Sequence, residues 1–195
     1  MSMRRLTLPF LFVVCVPAFL YGETLEWMFT IDEQQIKNGP ESDGSTNSPG
    51  VGTGHVTYDS TTNEISYSLQ WNGLVGELTK LHIHGPADEN SSNPQHVVEI
   101  FGPPTVPAEF AGSSATVVGS QELTTLIQTG FDPLAPDTIL DIMRSGQSYL
   151  NVHTTVFGTG EIRGNLGRPV PEPSSLMMIT IGGLLISQIR RRSSC

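Results

Sequence analysis

Leu81-His82-Ile83-His84-Gly85-Pro86-Ala87 alternates apolar and imidazole side chains and then stops on glycine and proline. In an extended strand successive side chains point to opposite faces, so His82 and His84 share one face and Leu81 and Ile83 the other. Gly85-Pro86 is turn chemistry and ends the strand. A second stretch, Tyr149-Leu150-Asn151-Val152-His153-Thr154, has the same build. Its Leu150 and Val152 alternate with Tyr149, Asn151 and His153. Whether these two strands meet in space decides most of what the chain can do.

Working outward, the rest of the central region reads as strands separated by turns. Thr24 to Ile31 is a first strand, and Lys37 to Gly54 a polar loop rich in Gly, Pro, Ser and Asn. Gly54 to Tyr58 and Glu64 to Trp71 alternate cleanly around Asp59-Ser60-Thr61-Thr62-Asn63, which predicts a β-hairpin. Leu78 to His84, His96 to Phe101, Ala115 to Ser120, Ser148 to Thr154 and Gly160 to Leu166 follow as strands. Leu123 to Gln128 and Thr138 to Arg144 read as short helices, the second with Asp137 as N-cap and Gly146 as its stop. About seven to nine strands with turns between them predict a mainly β fold, an antiparallel Greek-key sandwich or barrel with one or two short helices.

The 195 residues suffice for one domain with a proper core. The net charge of −9, with half of the Lys and Arg at the extreme ends, leaves no basic stripe for phosphates and excludes nucleic acid as a partner. Cys15 and Cys195 both lie in the terminal segments, so a processed domain holds neither a disulfide nor a thiolate metal site.

Both ends read as addresses. Residues 1–22 form a secretory signal peptide, with Arg4 and Arg5 before the apolar run Leu6 to Val16 and a cut before Glu23. The domain then occupies 23–168. In 169–195, Pro171-Glu172-Pro173 precedes the apolar run Leu176 to Ile189 and the cluster Arg190-Arg191-Arg192. That run is shorter than the roughly 20 residues of a stable span, which suits a short hydrophobic helix held in the membrane only transiently. The order of these parts resembles the PEP-CTERM sorting signal of bacteria that secrete an exopolysaccharide matrix. The resemblance implies passage through the secretion machinery, processing by an exosortase-type transpeptidase near Pro171-Glu172-Pro173, and export to the cell surface or extracellular matrix. Exopolysaccharide and other matrix components are then the expected neighbours.

The central region resembles a CHRD domain. The matching stretches are Phe29-Thr30 through Asp32-Glu33, Gly52-Thr53-Gly54, Trp71-Asn72-Gly73-Leu74, Leu81 to Ala87, Tyr149 to Thr154 and Gly160-Glu161-Ile162-Arg163-Gly164-Asn165-Leu166. The resemblance implies an extracellular β domain acting by binding or structure, without a settled activity.

Imidazole is a good ligand for copper or zinc, and a same-face pair two residues apart can grip one ion. His153 would add a third nitrogen, with His96 next in rank and His55 after it. The His-x-His strand with a later histidine is similar to the copper half of copper/zinc superoxide dismutases. No dense His/Asp cluster for a second metal stands beside it in the sequence, and no position matches that family's guiding arginine. Metal-dependent redox chemistry is therefore the only enzymatic alternative, and no catalytic residue is assigned. The competing reading is a cluster of histidines satisfied by one another, by Asn151 or by loop backbone. Glu161 and Arg163 share a strand face, where an exposed ion pair is expected. Trp27 and Trp71 are expected in the core.

Overall fold

A computed structural model describes residues 22–102 and 106–171. Nearly all of the signal peptide and of the apolar and basic tail lies outside the described residues. The strands are β1 (Thr24–Asp32), β2 (Val51–Asp59), β3 (Glu64–Asn72), β4 (Leu78–His84), β5 (His96–Phe101), β6 (Ala115–Glu122), β7 (Tyr149–Thr154), β8 (Ile162–Asn165) and β9 (Val170–Pro171). Helix α1 spans Pro136–Arg144, and Ala108–Phe110 is a single 3-10 turn. The sheet runs β5-β4-β7-β8-β1-β2-β3-β6, with β9 added to β1. The fold is mainly β, as the alternation predicts, and every strand pair is antiparallel.

The sheet curls because its two edges serve one core. Val97 and Val98 of β5 and Val117 of β6 join the same apolar cluster as Trp27, Ile65, Leu81 and Leu150. Each such side chain contributes roughly 1.5–3 kcal/mol on leaving water. The β2–β3 hairpin keeps unbroken register from Val51↔Asn72 to Asp59↔Glu64. Its alternation puts Val56, Tyr58, Ile65, Leu69 and Trp71 inside. The turn is held by Asp59 Oδ1, which accepts from the Thr61 backbone N–H at 2.7 Å, and by Asn63 at φ 55°. Asparagine is among the few residues that tolerate that backbone region. Trp27 and Trp71 are core residues, as expected.

Several boundaries differ from expectation. No helix forms at Leu123 to Gln128. Leu123 is buried, its N–H donating to the Asn63 carbonyl, and Leu126 makes an isolated bridge with Leu134. The β-branched Thr124 and Thr125 weaken any helix between them. Helix α1 begins at Pro136, capped by Ala135 and not by Asp137. Proline has the φ for a first helical position and no N–H to leave unpaired there. Asp137 instead sits in the first turn, where the helix dipole favours its charge. Gly146, at φ 79°, follows the C-cap Ser145 as the expected stop. Strand β2 starts three residues earlier than expected, at Val51, and the loop before it is anchored: Ser45, Thr46 and Ser48 are buried. Among the described residues no helix is long and apolar enough to cross a membrane.

Candidate metal centre

Strand register assembles the site. On the face of the β4–β7 pair away from Leu81, Ile83, Leu150 and Val152, three pairs stand opposite one another: Lys80↔His153, His82↔Asn151 and His84↔Tyr149. On the other side of β4, β5 sets Glu99 opposite His82 and His96 opposite His84. Two residues far apart in sequence, His84 and His153, thus bring their Nε2 atoms to 3.4 Å. His82, His84 and His153 each offer a ring nitrogen within 4.8 Å of the others, and all three are buried. The three histidines singled out in the sequence do converge.

The ring orientations are set by neighbours. His153 Nδ1 lies 3.0 Å from the Gly158 carbonyl, so Nδ1 carries the proton and the Nε2 lone pair is turned toward His84. His84 stacks on the Tyr149 ring, 5.2 Å between centroids. Tyr149 is fixed in turn by its hydroxyl, which donates to the Asn93 carbonyl at 2.8 Å. Glu99 sits between two imidazoles, with one oxygen 2.7 Å from His96 Nδ1 and the other 3.2 Å from His82 Nε2. The second approach is off the line of a hydrogen bond, and neither His82 nitrogen, nor His84 Nδ1, has a hydrogen-bond partner on the protein. Asn151 does not serve them, because its amide donates to the Thr159 carbonyl. Gly160 makes room for it: at φ 122°, a Cβ there would fall 2.0 Å from Asn151 Oδ1.

Burial holds these histidines neutral. It pushes His84 down to about 2 and His153 down to about 4, with mutual repulsion among the imidazoles adding to the effect on His84. His82 is lowered for the same first reason, partly opposed by Glu99. The two histidines beside it hold the Glu99 carboxyl well below the usual carboxylate range. Neutral imidazole is the protonation state a copper or zinc ion requires.

The cluster forms the base of a cleft of about 500 Å³ whose rim includes Asn38, Lys80, Asn93, Gln128 and Thr159. His96 lines the same cleft but lies flat against His82, ring centroids 3.8 Å apart and planes 22° from parallel. Lone pairs of imidazole lie in the ring plane, so stacked rings do not converge on one ion. Glu99, bonded to His96 Nδ1 and close to His82 Nε2, is the residue of this corner that no local spacing announced. His55 is elsewhere, paired with Glu26 across β1 and β2 at 2.7 Å.

Glu161 and Arg163 correct an expectation: both are fully buried, and they do not pair with each other. Glu161 accepts from Ser48 Oγ at 2.6 Å, Thr154 Oγ1 at 2.7 Å, and the backbone N–H groups of Val75 and Gly76. Arg163 donates to the carbonyls of Ser91 and Asp88 and to Asn165 Oδ1, and its guanidinium lies 3.7 Å over the Tyr149 ring. It thereby pins the loop between β4 and β5 over the histidines. Alternating charges near a chain's last strand look like a solvated face, and their partners lie too far away in sequence to be read.

Two family models match the chain. The CHRD domain model matches residues 34–166, more than half of the chain, and the PEP-CTERM protein-sorting motif matches residues 169–192. No curated protein and no solved structure matches.

Proposed function

The chain belongs to the CHRD domain family, and from that premise we propose that it is an exported, surface- or matrix-sorted domain in which His82, His84 and His153 hold one copper or zinc ion. The observation that carries the metal reading is the 3.4 Å between His84 Nε2 and His153 Nε2. Two nitrogens bound at 2.0–2.1 Å with a tetrahedral angle between them stand about 3.3–3.4 Å apart. Two further facts support it. His82 has both ring nitrogens buried without a partner, and such groups destabilise a fold unless something satisfies them. The hydrogen bond from His153 to the Gly158 carbonyl is the kind of outer contact that aims a metal-bound imidazole.

Export rests on the sorting motif. Exosortase-type processing near Pro171-Glu172-Pro173 follows from it, and the role at the surface is binding, with no catalytic step assigned. Full-length protein purified without a histidine tag should contain, or take up, close to one equivalent of zinc or copper. His82→Ala with His84→Ala should abolish uptake. Wild-type protein that stays metal-free in micromolar zinc and copper would overturn the metal reading. Intact chain confined to the cytosol on cell fractionation would overturn the export reading.

A further inference from the structure

We infer that the centre is completed by a small anion entering through the cleft, with Lys80 as its charge partner; this rests on the metal reading above. Only three imidazoles converge, and a tetrahedral ion takes four ligands. The histidine best placed to supply the fourth, His96, is stacked on His82 and tied through Nδ1 to Glu99. Glu99 is held by His96 and stands within reach of His82 but not of His84 or His153, so the open position faces the cleft, which reaches the histidines directly.

The lining of that cleft selects the sign of the ligand. The whole chain carries −9, yet among the described residues no aspartate or glutamate lines the cleft. The permanently charged side chain that lines it, among the described residues, is Lys80, which stands directly opposite His153 and is first in the face row Lys80, His82, His84. Among the described residues Lys80 takes no salt-bridge partner. A divalent ion and Lys80 leave the pocket positive even with the charge of Glu99 counted against them. Charge in a recessed, partly desolvated pocket acts more strongly than on an open surface. The amides of Asn38, Asn93 and Gln128 and the Thr159 hydroxyl offer neutral polar groups at the rim. The ligand class is a small inorganic anion or a carboxylate. Lys80 is a positioning residue for it, not a metal ligand.

Azide titrated into the full-length protein loaded with cobalt(II) is the test. Azide should change the visible cobalt spectrum along a saturable curve. Lys80→Met should weaken azide binding about tenfold at low salt while cobalt is still taken up, no more weakly than by the wild type since a repelling charge is gone, and Lys80→Arg should restore azide binding. Raising ionic strength from 0.05 to 0.5 M should weaken azide binding several-fold in the wild type, a readout that needs no variant. A cobalt protein whose spectrum ignores azide, or azide binding that is indifferent to both Lys80 and salt, would overturn this inference and leave the metal reading intact. Failure to take up cobalt, zinc or copper at all would overturn both.

Discussion

Two buried polar groups of this fold are treated in opposite ways. Glu161 is a carboxylate sealed from water, and the fold gives it four donors, two of them backbone N–H groups. The histidine cluster is nearly as deeply buried, and the fold leaves His82 with no partner on either nitrogen and His84 with none on Nδ1. The difference teaches what each is for. A polar group that exists to hold loops together is saturated by those loops, since a lone buried charge would be very costly. A group kept available for something from outside is oriented from behind and left open in front.

That contrast can be broken, and the largest lever is Glu161. Glu161→Ala should remove about 3–5 kcal/mol of unfolding free energy, because four converging donors lose their acceptor together. Urea titration measures it, and a loss below about 1 kcal/mol would show that water serves those donors as well. Acid should come next. His84 and His153 are neutral in the fold, their values lowered to about 2 and about 4. In the unfolded chain they take up protons near 6.5. The unfolded state then binds more protons between those limits, so stability rises with pH across the window and is lost as pH falls below about 6.5. A drop of about 3–4 kcal/mol between pH 7 and pH 5, close to 2 from each histidine, is expected for metal-free protein, read as a shift of the urea midpoint.

A smaller effect has the opposite diagnostic value. In chelator-treated protein His82→Leu should change stability by less than about 1 kcal/mol, since an apolar side chain replaces nitrogens whose polar neighbour, Glu99, keeps its hydrogen bond to His96. A loss as large as that of Glu161→Ala would make the histidines structural and erase the distinction. Smallest of all, Glu26→Gln should move thermal stability by less than about 0.5 kcal/mol. The His55–Glu26 pair is half in water and represents the ordinary surface ion pair.

Much of this was legible in the chain. The β2–β3 hairpin could be read because one face is core and the other solvent, so Val56, Tyr58, Ile65 and Leu69 carry a clean period of two. Strand β7 is buried on both faces, yet Leu150 and Val152 against Asn151 and His153 still revealed which side is polar. The triad His82, His84 and His153 was visible because strand period alone puts its members on common faces. Glu99 was not, because its approach to His82 comes from the β4–β5 register, which is irregular on both sides of that pair. The roles of Glu161 and Arg163 were hidden for a related reason. Their partners lie up to 113 and 75 residues away, and half of them are backbone atoms that no residue type announces.

Strand β9 gives the molecule a direction. Val170 and Pro171 pair antiparallel with Glu26 and Leu25, at the start of β1. At its other end β1 meets β8 at Asp32↔Arg163, and that row continues through Asn151 and His82. Seven residue steps separate Leu25 from Asp32, about 23 Å of extended chain. Pro171 also opens the Pro-Glu-Pro of the sorting motif. A tail fastened beyond Pro171 would hold the domain at one pole of β1 and leave its imidazoles at the other, like a lamp hung by its base.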